Sequence, residues 1–224
     1  MAQTKVLIVD DETDILDLLE YNLEKESYEV LRAMDGEEAI SIARDHKPDL
    51  IVLDIMMPKL DGIETCRQIR EIPGMDQVYI VFLTARSEEY SEVAGFEAGA
   101  DDYITKPIKP RVLLSRLKAI LRRKSSEEPS ETLKVHDLEI IRDEYIVKQG
   151  DRELTLPRKE FELLNFLAAR PGKVFSREIL LEKVWGDVFV VDRTVDVHVR
   201  KLREKLGDSY IQTVKGVGYK FANK

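Results

Sequence analysis

Little in this 224-residue chain would serve a disulfide-braced, zinc-binding or membrane-spanning protein. A single cysteine, Cys66, excludes an intramolecular disulfide and fits a reducing compartment. The three histidines, His46, His136 and His198, stand too far apart to give zinc-ligand spacing. No apolar stretch approaches the ~18 residues of a membrane span, and Met1–Lys5 runs directly into an apolar segment without a signal-peptide pattern. The expected setting is the cytoplasm, with no membrane partner. No internal repeat is visible.

What is present is charge, unevenly placed. The chain is 35% charged and 43% hydrophobic, in the range of ordinary globular domains. Its net charge of -8 hides an asymmetry: residues 1–124 hold 17 Lys+Arg against 25 Asp+Glu, and residues 133–224 hold 18 against 15. Between them, Ser125-Ser126-Glu127-Glu128-Pro129-Ser130-Glu131-Thr132 has no large apolar side chain and cannot bury a core, which reads as a flexible linker over 125–132. The organisation expected is an acidic domain, 1–124, and a mildly basic domain, 133–224.

In the acidic half, four short apolar runs each stop at a residue useful in phosphoryl chemistry. Val6–Val9 ends in Asp10-Asp11, Leu50–Leu53 in Asp54, Tyr79–Leu83 in Thr84, and Tyr103–Thr105 in Lys106-Pro107. β-Branched runs without polar alternation read as strands buried on both faces of a parallel sheet. Amphipathic stretches at Thr13–Lys25, Gly36–His46, Gly62–Glu71, Ser87–Ala98 and Pro110–Arg123 alternate with them, giving a doubly wound α/β domain. Ligands of such sheets bind at the carboxyl ends of the strands. Three carboxylates, a hydroxyl and an ammonium therefore converge on one crevice, which suits Mg²⁺ with an anion clamp beside it.

These motifs carry a resemblance. Val-Asp10-Asp11-Glu, Leu-Asp54-Ile-Met-Met-Pro58-x-x-Asp61-Gly62, Thr84-Ala85 and Gly99-Ala100-Asp101-Asp102-Tyr-Ile-Thr-Lys106-Pro107 make residues 1–123 resemble a CheY-like response-regulator receiver, a five-stranded flavodoxin-like fold. The resemblance implies that Asp54 accepts a phosphoryl group from a sensor histidine kinase. It implies that Asp11, Asp54 and the Met56 carbonyl ligate Mg²⁺, with Asp10 acting through a water. Lys106 and Thr84 would hold phosphoryl oxygens, and Tyr103 would follow Thr84 as the switch aromatic. On the first helix Leu16, Leu19 and Leu23 should face the sheet. The adjacent stripe of Ile15, Leu18 and Asn22, with Pro107, is the kinase-docking patch the resemblance suggests.

In the basic half, Leu133–Val135, Leu138–Ile140, Tyr145–Lys148 and Glu153–Leu156 read as a small antiparallel sheet. A helix follows Pro157, a second starts at Ser176, and a third spans Arg193–Leu206 before Gly207. Tyr210–Val214 and Tyr219–Ala222 flank a glycine-bearing turn and read as a hairpin. Val195, Val199, Leu202 and Leu206 form the third helix's apolar stripe. Arg193, Thr194, Val197, His198, Arg200, Lys201, Arg203 and Lys205 occupy much of the remainder. After a helix–turn–helix and beside Lys215 and Lys220, that helix reads as one that enters DNA.

Residues 133–222 resemble the winged-helix (α+β, winged helix-turn-helix) effector domain of OmpR/PhoB-type regulators. The motifs are Arg158-Lys-Glu160-Phe161-Glu-Leu-Leu164, Val184-Trp185-Gly186, Asp192–Arg203 and Thr213-Val-Lys-Gly216-Val-Gly218-Tyr219. The resemblance implies the third helix in the major groove, the hairpin wing in the minor groove, and Trp185–Val191 as a contact for RNA polymerase. Thr194, Val197, His198 and Lys201 are expected at base edges; Arg193, Arg200, Arg203, Lys215 and Lys220 are expected at phosphates or the minor groove.

The resemblance also implies a homodimer on phosphorylation, through Val93, Phe96, Asp101, Asp102, Leu114, Arg116 and Lys118. Glu92, Ala98 and Val112 depart from the charged types usual on that face, so the dimer should lean on apolar burial. The chain is expected to be a phosphorylation-activated transcription regulator, not a turnover enzyme. Self-catalysed phosphoacceptance and slow autodephosphorylation are the only reactions expected of it. A haloacid-dehalogenase-type hydrolase would need a second acid two residues after its nucleophile, where this chain has Met56. A regulator that ignores phosphorylation would not need the acidic pocket.

Overall fold

The apolar side chains close two separate cores, one in each half of the chain. The computed structural model describes residues 3–84, 89–107, 110–122, 132–142, 144–186 and 193–223. The chain divides into the compact units Met1–Glu128 and Pro129–Lys224. The division falls inside the stretch read as a linker, of which residues 125–131 lie outside the described residues.

The first unit is a five-stranded parallel sheet in the order β2-β1-β3-β4-β5, with β1 Lys5–Val9, β2 Glu29–Ala33, β3 Leu50–Asp54, β4 Tyr79–Thr84 and β5 Asp102–Thr105. Helices α1 Thr13–Glu24, α2 Gly36–His46, α3 Gly62–Glu71, α4 Glu89–Ala98 and α5 Pro110–Arg122 connect and follow the strands. Every residue of the central strand β3 is buried, as its unbroken apolar run requires. The order reverses between β1 and β3, so the crevice at their carboxyl ends is the ligand position of such sheets. Leu16, Leu19 and Leu23 bury the inner face of α1. The edge strand β2 is only half covered, and its Arg32 pairs with Asp17 and Glu20 of α1.

Local chemistry sets α3 against the crevice. Asp61 caps the helix by accepting a hydrogen bond from Glu64 N at 2.8 Å. Gly62 follows because a Cβ at that position would run into the Asp54 carbonyl.

The second unit opens with an antiparallel sheet of β6 Leu133–Val135, β7 Leu138–Ile141, β8 Ile146–Gln149 and β9 Arg152–Thr155. Helix α6 Arg158–Ala168 leads to the two-residue strand β10 Phe175–Ser176 and to α7 Arg177–Leu180, which runs on as a π-helical turn Leu181–Trp185. Helix α8 Arg193–Leu206 ends where Gly207 takes φ 102° and returns its N–H to Arg203 O. The hairpin of β11 Ile211–Val214 and β12 Gly218–Phe221 adds β10 to make a three-stranded sheet.

A charged cluster sits under α6. Lys159, its side chain 2% exposed, donates to Glu162 at 2.7 Å and to the Val184 carbonyl, while Arg158 reaches Glu162 at 3.1 Å and Lys205 of α8 reaches Glu160 at 2.7 Å. Burial works against the Glu162 carboxylate, but Lys159 and Arg158 outweigh it and hold its pKa below the usual value.

Candidate functional site

At the carboxyl end of β1, Asp10 is fully buried and Asp11 is exposed; at the end of β3, Asp54 is 3% exposed. Carboxylate oxygens of the three lie within 4.8 Å of one another. Lys106, directly after β5, places Nζ 2.8 Å from Asp10 Oδ2, 3.3 Å from Asp54 Oδ1 and 3.6 Å from Glu12 Oε1. Glu12 N donates to Asp10 Oδ1 and Met56 N donates to Asp54 Oδ2, so backbone on both sides of the crevice orients the acids. Three clustered carboxylates offer the hard oxygen ligands that Mg²⁺ takes, and fit that ion by donor type. The Met56 side chain is half exposed over the site.

Burial pushes the Asp54 carboxyl up; Lys106 opposes that shift and Asp10 adds to it. Burial also disfavours the Lys106 ammonium, yet its contacts with Asp10 and Asp54 outweigh this and leave its pKa raised. The pocket therefore holds a cation facing a desolvated carboxylate, which can receive an anion close to Asp54. Thr84 ends β4 opposite Thr105 of β5, with its side chain outside the described residues. Tyr103 is buried on β5. On α1, Leu18 is exposed and Ile15 and Asn22 are half-buried; Asn22 donates to the Leu18 carbonyl, and Pro107 is exposed beside the crevice.

In the second unit α8 presents Arg193, Arg200 and Glu204 to solvent, with Lys201 partly exposed. Lys215 and Val217 stand exposed at the hairpin turn, and Lys220 is half-buried. The base-edge expectation for Thr194, Val197 and His198 is corrected: all three side chains are buried. They lie on the side of α8 that packs inward, and the His198 ring meets Trp185 edge-on at 5.0 Å while Nδ1–H donates to Thr194 O. Arg203 is also corrected as a phosphate contact. Its guanidinium turns to the hairpin, donating to Ile211 O at 2.8 Å and 3.1 Å and to Thr213 Oγ1 at 2.8 Å.

Burial pushes the His198 imidazole down to about 3, helped by Lys201, Lys159 and Lys205 and opposed by the bond to Thr194. The unfolded chain binds a proton there near pH 6.5 and the folded chain does not, so stability falls as pH drops below about 6.5. The loss approaches ~1.4 kcal/mol per pH unit for this one group. The chain's only tryptophan, Trp185, lies in this core and reports unfolding by fluorescence. Between pH 6.5 and 5 the difference in stability between the unmutated chain and His198→Gln should shrink as pH falls; parallel curves would contradict a buried neutral His198.

Comparisons with known proteins agree with this geometry. Residues 6–118 match the family described as response regulator receiver domain, and residues 151–221 match transcriptional regulatory protein, C terminal. The chain is 47% identical over 231 residues to the alkaline phosphatase synthesis transcriptional regulatory protein PhoP of Bacillus subtilis (strain 168), covering 96% of this chain and 95% of PhoP. The chain is a response regulator of the OmpR/PhoB family. Among solved structures, DrrB of Thermotoga maritima, an OmpR/PhoB homologue, is 36% identical with a TM-score of 0.53, covering 99% of this chain and 100% of that one. A RitR mutant reaches a TM-score of 0.75 at 29% identity, with the same coverage.

For an OmpR/PhoB regulator, the expected dimer face needs revision. Phe96 is buried in the receiver. Asp101 is buried too; it accepts from Ile80 N at 2.9 Å and pairs at 2.8 Å with Arg70, whose guanidinium also donates to Gly99 O, Met75 O and Val78 O. Asp102 is fully buried and accepts from Tyr103 N. These three side chains brace the domain and do not line its surface. Leu114 is half-buried, Arg116 points one N–H at Tyr103 O, and Lys118 is exposed but paired with Glu26, in the turn after α1. The side chains of Val93 and Glu92, and residues 187–191 of the expected polymerase loop, lie outside the described residues. Sequence reasoning gave Arg70 no role; the signal was an arginine on α3 within reach of the Gly99–Asp101 motif.

Proposed function

We propose that this response regulator is switched by phosphorylation of Asp54 and, once switched, binds tandem DNA half-sites as a dimer in the cytoplasm. The observation that carries the reading is Lys106 held between Asp10 and Asp54 above the carboxylate cluster. A carboxylate oxygen of Asp54 attacks the phosphorus of the kinase's phosphohistidine; the new O–P bond forms as the N–P bond breaks and the imidazole departs. Asp11, Asp54 and the Met56 carbonyl would hold Mg²⁺, with Asp10 acting through a water, and the bound ion would supply charge neutralisation to the phosphoryl oxygens. Lys106 Nζ shifts from Asp54 to a phosphoryl oxygen, and the Thr84 hydroxyl donates to another. Tyr103 follows Thr84 and alters the α4–β5–α5 face. No turnover of an external substrate is part of this reading.

Docking of the kinase falls to Ile15, Leu18, Asn22 and Pro107, around the pocket mouth. With Phe96, Asp101 and Asp102 turned inward, pairing of receivers rests on Leu114 and exposed Val112, with ionic support from Arg116 and Lys118. Exposed pairs contribute only ~0–1 kcal/mol each, so apolar burial decides the strength of this dimer. Arg193, Arg200, Lys201, Lys215 and Lys220 are the DNA contacts, and the 185–191 segment meets RNA polymerase. Residues 133–224 carry 18 Lys+Arg against 15 Asp+Glu, so one copy binds DNA weakly and pairing makes the binding useful. The test is incubation of the whole chain with a small phosphodonor and Mg²⁺, followed by mass and oligomeric state. A mass gain of one phosphoryl group and a shift to dimer are expected; an unchanged mass would reject the reading.

The lifetime of the acyl phosphate follows from the exposed residue at its edge. The Met56 thioether cannot hold an attacking water as an amide would. Met56→Asn should shorten the phosphoryl half-life severalfold, measured by loss of label at fixed pH; an unchanged half-life would reject the argument. Arg86, the second residue expected along the water's path, lies outside the described residues.

A further inference from the structure

Helix α8 grips the hairpin at two points on one of its faces. In its first turn Asp196 Oδ1 accepts from the Tyr219 hydroxyl at 2.6 Å and from Arg177 Nε at 2.7 Å. A terminal N–H of Arg177 also donates to the Tyr219 hydroxyl at 3.2 Å, and the guanidinium lies 5.0 Å from the Tyr219 ring centre. Seven residues further on, Arg203 holds Thr213 Oγ1 and Ile211 O. Positions i and i+7 share a helix face and stand ~10.5 Å apart along the axis. Thr213 and Tyr219 are partners directly across the β11–β12 ladder, and Tyr219 pairs with Phe175 of β10 as well. One cross-strand pair is thus held from both strands by one helix face, and Arg177 at the start of α7 closes the set.

Asp196 and Arg177 alone would be a partly exposed ion pair of small worth. The buried Tyr219 hydroxyl changes that, because each of the three groups bonds both others. The set also meets an electrostatic need: an acid in the first turn of a helix that faces phosphates repels them unless a cation neutralises it, and Arg177 does so.

We propose that Arg177, Asp196 and Tyr219, with Arg203 and Thr213, are positioning residues that fix the hairpin at a set offset from α8, so that helix and turn engage one duplex as a single preorganised surface. Holding two contact elements in their bound geometry removes an ordering cost from association. The proposal rests on the reading of α8 and the Lys215 turn as DNA contacts.

A double-mutant cycle in the full chain tests it, on a duplex selected from a random pool by the unmutated protein. Tyr219→Phe removes the hydroxyl and keeps the ring in place. In the unmutated chain Lys215→Ala should weaken binding severalfold and flatten the salt dependence by about one unit of slope. In the Tyr219→Phe chain the same change should cost less than half that fold-change, because the turn is no longer held against the duplex. Asp196→Ala should behave like Tyr219→Phe, and Asp196→Asn, whose amide oxygen still accepts both bonds, should restore the Lys215 dependence. Trp185 fluorescence shows that each variant is folded, and Asp196→Ala alone suffices should Tyr219→Phe not fold. An equal Lys215→Ala effect in all backgrounds overturns the lock while leaving the DNA reading intact. A silent Lys215→Ala in the unmutated chain overturns the DNA role of the turn, and the lock with it.

Discussion

Asp54→Ala should reduce phosphodonor-dependent labelling of the full chain to background. Among the three clustered carboxylates only Asp54 combines burial with a position at the end of the central strand, facing Lys106 at 3.3 Å. Asp10 is equally buried but holds Lys106 more tightly, at 2.8 Å against 3.3 Å for Asp54, and it sits at the end of β1, not of the central strand. Asp11 is exposed, without the desolvated setting that strengthens a carboxylate against an electrophile. Chelation of Mg²⁺ should abolish labelling of the unmutated chain too. Stable, Mg²⁺-dependent label on the Asp54→Ala chain, read by mass spectrometry, would contradict the assignment.

The second large effect is on stability. Lys159→Met should destabilise the second unit by about 3 kcal/mol, the lower end of the ~3–5 kcal/mol that removal of one partner from a buried ion pair costs. Methionine preserves most of the aliphatic volume but strips Glu162 of its 2.7 Å partner and leaves the Val184 carbonyl without this donor. Arg158 stays at 3.1 Å and keeps the loss from reaching the upper end. The measurement is denaturant unfolding of the full chain followed by Trp185 fluorescence, which isolates this unit because no other tryptophan exists. An unchanged midpoint would show that the ammonium is solvated and that the cluster does not hold α6. Because Glu162 titrates below its unfolded value, the stability it contributes is present above about pH 4.5 and is lost as pH falls through its folded value. His198 already acts below about pH 6.5, so between pH 6.5 and 4.5 its contribution changes while that of Glu162 does not, and below 4.5 the two overlap.

The fold was legible where burial is two-sided and illegible where it is not. β1, β3, β4 and β5 announce themselves as apolar runs, but the edge strand β2, Glu-Val-Leu-Arg-Ala, buries only Ala33 and carries no such run. Two-residue β10 is too short to leave a pattern, and only its ladder with Tyr219 and Gly218 defines it. In the candidate site, Asp10, Asp54 and Lys106 were readable because topology alone brings strand ends together. Side-chain direction was not readable. Thr194, Val197 and His198 share a helix with Arg193 and Arg200, and only packing against Trp185 shows which of them face inward. Asp101 and Asp102 have the composition of a surface pair, yet Arg70 and the backbone of Ile80 and Tyr103 draw them in. Arg203 likewise looks like a phosphate ligand until its bonds to Ile211 and Thr213 are seen.

The central claim is that phosphate on Asp54 controls paired binding to DNA, and one titration tests it most directly. At fixed salt, affinity for a duplex with two tandem half-sites is compared with that for a duplex with one, for the full chain with and without phosphodonor and for Asp54→Ala with phosphodonor. Phosphorylation should raise the two-site to one-site ratio severalfold in the unmutated chain and leave it unchanged in Asp54→Ala. A ratio that phosphorylation does not move, or that rises equally in Asp54→Ala, would contradict the account.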